Sequence, residues 1–302
     1  MRGCLSIGLL NDDEGCSNGR LGTSLRALLE ATYRDVKASG IRLRVTQLGE
    51  GPTLLLLHTT FLSRECWTRC IEILAPHFRL VAVDLPGFGE SEKPSESRFG
   101  YDISAFTHVI ADLYAGLGLV QADVVGHGLG GAVAVALAAR HPELVRRLVG
   151  VAPQLAPPPR DLVRSLATTP VFGGFAFKQL WSRPLFLRYM RERMMNQRSW
   201  VEPKRIEDYY DAFNTPSARN SALSTLRGTK DARGVVADIA RLTMPSLFVW
   251  GRHDVVHPAS EGRGLIRHVP GASFQLLDCG HCPPEEKPEE LSQALYRFCS
   301  QP

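Results

Sequence analysis

Near the carboxyl end of the chain, Asp254 in Trp250-Gly251-Arg252-His253-Asp254 and His281 in Asp278-Cys279-Gly280-His281 offer a carboxylate and an imidazole. An imidazole oriented by a carboxylate is a general base, because the carboxylate fixes its tautomer and stabilises its protonated form. Such a base can take a proton from a hydroxyl, a water or a carbon acid. What it would activate is set further upstream. Val124-Val125-Gly126-His127-Gly128-Leu129-Gly130-Gly131 reads as a strand turning sharply into a helix, with glycines where the two must approach closely. A turn of that kind presents a nucleophilic serine in the pattern Gly-X-Ser-X-Gly. Here the central residue is Gly128, which has no side chain and no nucleophile. The N–H of Leu129 does not depend on that side chain and stays available to developing negative charge. Thr59, Thr60 and Cys66 are alternative nucleophiles. A threonine, however, needs an adjacent base, and the sequence does not place His281 against one.

The elements that must position these residues alternate along the chain. Ile41 to Gln47, Thr53 to His58, Arg79 to Asp84, Ala122 to Gly126 and Leu148 to Ala152 read as strands, most of them apolar throughout. Helical patterns fall at Cys66 to Leu74, Tyr101 to Leu117 and Leu129 to Arg140. The rhythm resumes with strands at Ser246 to Trp250 and Ser273 to Asp278 and helices at Glu261 to His268 and Pro288 to Cys299. Strands apolar on both faces and alternating with helices form a parallel sheet covered on both sides. The expected architecture is therefore α/β: a mostly parallel sheet with helices on both faces. Residues 33–154 and 231–302 form its core, 1–32 an N-terminal extension, and 155–230, opened by Pro157-Pro158-Pro159, an inserted helical lid.

In that order the motifs resemble the α/β-hydrolase superfamily over nearly all of residues 33 to 302. The resemblance rests on Leu54 to His58 as the oxyanion strand, Asp84-Leu85-Pro86-Gly87-Phe88-Gly89-Glu90-Ser91, the turn at Gly126 to Gly130, and the two motifs holding Asp254 and His281. It implies the order nucleophile, acid, base, with the acid at Asp254, the base at His281 and oxyanion N–H groups from Leu129 and the Thr59-Thr60 loop. The sequence departs from the pattern twice. Gly128 stands in place of the nucleophile, and the His-Gly turn after the oxyanion strand appears as His58-Thr59-Thr60-Phe61. Serine esterases and the aspartate-nucleophile dehalogenases and epoxide hydrolases share this surrounding pattern. Which residue Gly128 replaces therefore stays open. Of the rest of the machinery only the hydroxyl is missing, so serine at 128 is expected to restore hydrolysis of an activated ester.

Bulk properties narrow the partners. The chain has 302 residues, 44% of them hydrophobic, and a net charge of +4, too small to argue for nucleic acid. No apolar run nears the ~20 residues that span a bilayer, and the stretch from Leu5 to Leu10 is too short for a secretory signal. Seven scattered cysteines fit a reducing, cytoplasmic setting. Cys279-Gly280-His281-Cys282 lacks the second cluster a tetrahedral metal site requires. No metal or cofactor is expected. Residues 153 to 230 carry 13 Lys or Arg against 6 Asp or Glu. Phe172, Phe175, Trp181, Phe186 and Tyr189 in that stretch are candidate substrate contacts. With the neighbouring arginines they suggest a small, mostly apolar ligand, anionic or carrier-tethered; a solvated basic helix face explains the charge equally. Three functional readings follow. One is an enzyme using His281–Asp254 acid–base chemistry on a carbonyl or acyl compound, without a covalent intermediate at 128, by water-mediated hydrolysis or non-hydrolytic rearrangement. The others are a binding-only pseudoenzyme and a nucleophile knockout of a serine or aspartate hydrolase.

Overall fold

The computed structural model describes residues 31–155, 177, 181–196, 201–231 and 233–301. Eight strands make one sheet: β1 (Thr32–Ala38), β2 (Ile41–Leu48), β3 (Thr53–Leu57), β4 (Arg79–Val83), β5 (Ala122–His127), β6 (Val145–Val151), β7 (Ser246–Gly251) and β8 (Ser273–Leu277). Their spatial order is β1-β2-β4-β3-β5-β6-β7-β8. From β4 to β8 every neighbouring pair is parallel, while β1–β2 and β2–β4 are antiparallel. The central strands carry apolar side chains on both faces, and Leu54 to Leu57 are fully buried. Helices cover both faces, as parallel crossovers require.

The sheet differs from the sequence expectation at its edge. Thr32 to Ala38 was assigned no strand, yet it forms a hairpin with β2 in the register Ala38↔Ile41. Its first four residues are exposed, so no apolar alternation marks it. The signal lay in the turn. Ser39 and Gly40 both take positive φ, at 48° and 75°, as a two-residue hairpin loop demands. The 1–32 extension otherwise lies outside the described residues.

The helices are α1 (Thr68–Leu74, after a 3₁₀ turn at Arg64–Trp67), α2 (Ile103–Leu117), α3 (Leu129–Arg140), α4 (Arg183–Tyr189, running into a π turn at Met190–Met194), α5 (Pro203–Phe213) and α6 (Pro216–Gly228). Then come α7 (Arg233–Ile239), α8 (Ala259–Ile266), the short α9 (Pro283–Glu286) and α10 (Pro288–Cys299). Local chemistry sets several ends. Asp102 caps α2 by accepting from Ala105 N–H at 2.9 Å, and Gly118 closes the same helix in the left-handed region. Thr215 caps α6, whose first residue is Pro216. Within 155–230, the described residues are mainly the helices α4 to α6 and the π turn.

Register brings the motif loops together. Leu57 of β3 pairs with Gly126 of β5, so Thr59 and Gly128, each two residues further on, leave the sheet side by side. Gly251 pairs with Leu277, so Asp254 and His281 leave the ends of adjacent strands β7 and β8. All four positions lie at the carboxyl edge, where open parallel sheets bind their ligands.

Candidate active site

At the turn between β5 and α3, Gly128 has φ 53° and ψ −111°, a conformation costly for any residue with a side chain. The turn is fixed by its backbone. Gly128 N–H donates to the Val151 carbonyl at 3.0 Å, and the Gly128 carbonyl accepts from Gln154 at 2.9 Å and Ala132 at 3.1 Å. Gly130 N–H donates to the His58 carbonyl at 3.1 Å, pinning the start of α3 to the loop after β3. The backbone of a nucleophile-bearing turn is therefore complete without the nucleophile.

The candidate acid and base meet. His281 Nδ1 lies 2.8 Å from Asp254 Oδ2, with both side chains buried. The ionised carboxylate only accepts, so the proton of this bond sits on Nδ1 and Nε2 is left facing the other way. The second carboxylate oxygen, Oδ1, accepts from Val256 N–H at 2.8 Å and His257 N–H at 2.9 Å. Asp254 is thereby held by three donors. A Cβ placed on Gly128 would lie 3.3 Å from His281 Nε2, so the imidazole points at the space where a side chain at 128 would stand.

That space is filled by Thr59. The same Cβ would lie 2.0 Å from Thr59 Oγ1 and 2.6 Å from Thr59 Cβ. The hydroxyl oxygen accepts from the Leu129 N–H at 3.3 Å. Thr59 thus meets the candidate oxyanion donor through its side chain as well as belonging to the loop that follows β3. Its neighbour Thr60 is half-buried. Cys66 is buried, and burial pushes its thiol well above the usual range, which removes it as a nucleophile.

Comparison with known proteins agrees with this fold. The sequence pattern of the alpha/beta hydrolase fold matches residues 52–288. The chain belongs to the α/β-hydrolase fold family. It is 30% identical to a pimeloyl-(acyl-carrier protein) methyl ester esterase of Nitrosomonas europaea over 258 residues, covering 82% of this chain and 96% of that one. It is 26% identical to epoxide hydrolase 3 of Mus musculus, over 98% of this chain and 84% of the relative. Among solved structures, the enol-lactonase of Burkholderia xenovorans superposes with a TM-score of 0.73 at 22% identity, covering 89% of this chain and all of that one. Its likeness is one of fold.

Further residues shape this candidate site, and of these Glu286 lies in none of the motifs read from the sequence. Glu286 brackets the base: it accepts from Gly280 N–H and Cys282 N–H, each at 3.0 Å, on either side of His281, and from Asn196 N–H at 2.8 Å. His58 Nε2 accepts from Leu85 N–H at 2.9 Å, so its proton is on Nδ1, which donates to the Thr59 carbonyl at 2.7 Å. Burial holds this histidine neutral by lowering its pKa. His127 donates from Nε2 to the His281 carbonyl at 2.7 Å. Burial, with the nearby His281 charge, pushes its pKa well down, and its Nδ1 has no hydrogen-bond partner among the described residues. Asp84 accepts from Arg64 N–H at 2.7 Å and Glu90 N–H at 2.8 Å, and also pairs with the Arg64 guanidinium. Through His58, the Asp84–Ser91 motif is tied to the Thr59 carbonyl.

Above the site, Phe61 holds a strained φ of 69° and turns its ring into aromatics from the 155–230 segment. Trp181, Phe186 and Tyr189 lie 5.9, 6.2 and 5.8 Å away, with Phe213 at 5.7 Å. Phe172 and Phe175 lie outside the described residues. A cleft beside this cluster is lined by Phe61, Phe88, Tyr209 and Phe213, among others; it adjoins the Thr59 loop rather than His281. Arg205 and Arg219 stack over two of its rings, Tyr209 at 5.3 Å and Phe213 at 5.7 Å. Arg183 pairs with Glu207 at 2.8 Å and Arg188 with Glu192 at 2.9 Å, both near solvent. Among the described residues no cluster is placed to hold a metal ion, and no helix is long and apolar enough to cross a membrane.

Proposed function

We propose that this α/β-hydrolase-family chain is an enzyme acting on a small, largely apolar carbonyl or acyl compound by His281–Asp254 acid–base chemistry, with no covalent intermediate at residue 128. The observation that carries this reading is the buried pair at 2.8 Å whose free Nε2 faces the position above Gly128. A buried imidazole–carboxylate pair is costly to keep without use, since each group must be desolvated. His281 takes the proton, Asp254 orients it and stabilises the imidazolium, and Leu129 N–H with the Thr59-Thr60 loop receives the oxyanion. The apolar body of the substrate packs on Trp181, Phe186 and Tyr189. Trp181 Nε1, buried and without a partner among the described residues, offers that substrate one hydrogen bond. The carrier-tethered acyl ester named in the Nitrosomonas relative belongs to the same bond class. Arg183 and Arg188 are each paired with a carboxylate near solvent.

One observation favours a binding-only reading: Thr59 already occupies the Leu129 N–H. Hydrolysis of short-chain p-nitrophenyl esters separates the two. His281→Ala should lower the rate by ~10² or more, the scale of general acid–base catalysis, and Asp254→Asn should lower it in the same direction. Equal rates in wild type and His281→Ala would establish the binding-only protein instead.

A further inference from the structure

The two departures from the family pattern occupy one place in space. Where the family has glycine after the oxyanion-strand histidine and a nucleophile at the turn, this chain has Thr59 and Gly128. Thr59 Oγ1 sits 2.0 Å from the point a Cβ on residue 128 would take, and His281 Nε2 faces that same point from 3.3 Å. An Oγ attached to such a Cβ would lie one bond length from it, so the threonine oxygen stands in the immediate neighbourhood of the absent oxygen's place. Thr59 is buried, and its oxygen already touches the oxyanion donor Leu129 N–H. Its carbonyl is clamped by His58 Nδ1–H and by Leu62 N–H, so the loop holds the hydroxyl in place.

We propose that Thr59 is the relocated nucleophile of this site; the proposal rests on His281 acting as the base. His281 Nε2 takes the Thr59 hydroxyl proton as Oγ1 forms a bond to the acyl carbon of an ester. The carbonyl electron pair moves to its oxygen, which takes over the Leu129 N–H. When the carbonyl re-forms, the carbon–oxygen bond to the leaving alkoxide breaks, and that alkoxide takes the proton from His281. A water then gives its proton to His281 and attacks the acyl-threonine. The electron pair returns to Oγ1, which recovers the proton, and the carboxylic acid departs. In the structure as it stands the hydroxyl bonds to Leu129 rather than to His281, and base contacts of this kind tighten on substrate binding.

The test is acid-quenched peptide mapping of the full chain after p-nitrophenyl acetate, with steady-state rates for Thr59→Ser, Thr59→Val, Thr59→Ala and His281→Ala. The expected result is one acyl group on the peptide holding Thr59 in wild type, lost in His281→Ala. Turnover should be kept in the serine variant and reduced ~10²-fold or more in both valine and alanine variants. Valine fills the same volume without a hydroxyl, which separates chemistry from packing. A Thr59→Ala enzyme as fast as wild type or faster, still dependent on His281, would show that Thr59 only plugs the hole. That outcome overturns the proposal and leaves the base intact. Acylation that persists in His281→Ala would instead sink the base reading and, with it, this route for Thr59. The absence of any acyl adduct in wild type also overturns it.

Discussion

At the scale of single residues, the site turns on the exchange between positions 59 and 128. From the sequence, serine at 128 was expected to restore the machine because only the hydroxyl was missing. The structure corrects this: a Cβ at 128 collides with both Oγ1 and Cβ of Thr59, and rotating the threonine side chain cannot move its own Cβ. Gly128→Ser should therefore cost ~1–3 kcal/mol from overpacking, beyond the strain of its positive φ. In the double variant Thr59→Gly/Gly128→Ser the collision disappears and only the backbone strain remains. Urea denaturation of the four proteins should give a coupling energy of ~0.5–3 kcal/mol between the sites, with the double variant more stable than Gly128→Ser alone. Additive effects would mean that the loop after β3 moves aside freely. Asp254 and His281 were legible from their motifs. The Thr59 contact was not, because it depends on Leu57 pairing with Gly126, and nothing in a single sequence fixes which residues of two apolar strands lie opposite.

At the scale of elements, two histidines pin loops to strands, and burial disfavours the charged form of both. His127 ties the end of β5 to the His281 backbone, and His58 ties the end of β3 to Leu85 and Thr59. Burial lowers the pKa of each in the folded chain, below the ordinary 6.5. Below that value the unfolded chain binds a proton that the folded chain refuses. Stability is thus intact above about pH 6.5 and falls with acid, by up to ~1.4 kcal/mol per pH unit for each histidine. Glu285 works against this, since burial raises its pKa and the folded chain gains a proton there as pH drops. The clean measurement is a difference between two proteins. His127→Gln keeps an N–H donor without a titrating ring, and facing Asp254, His58 and His281 it should show a shallower loss of stability between pH 7 and 5. Parallel slopes for the variant and wild type would show that His127 does not drive the acid sensitivity. The sequence marked where these elements run, but a histidine at a strand end carries no sign of which carbonyl it will meet.

At the scale of the whole molecule, adjacent carboxylates on α9 join the 155–230 segment to the core. Glu285 receives Arg205 at 3.0 Å and the Tyr209 hydroxyl, while Glu286 holds both Asn196 and the two N–H groups flanking His281. Arg205→Met should leave Glu285 buried with only the tyrosine, and hydrogen exchange should rise together at 195–196 and 279–286. Faster exchange in α5 alone would show that the two attachments are independent. The layered architecture was readable because apolar runs and helical patterns alternate. The edge hairpin at Thr32–Ala38 was not, because an exposed strand leaves no apolar trace. The exchange at 59 and 128 also bears on how such a chain could arise from a family member with glycine and a side-chain nucleophile at those positions. A lineage gaining Thr59 first would pass through an overfilled turn, whereas one losing its nucleophile first meets no collision. The order that avoids the overfilled turn therefore runs through glycine at both positions.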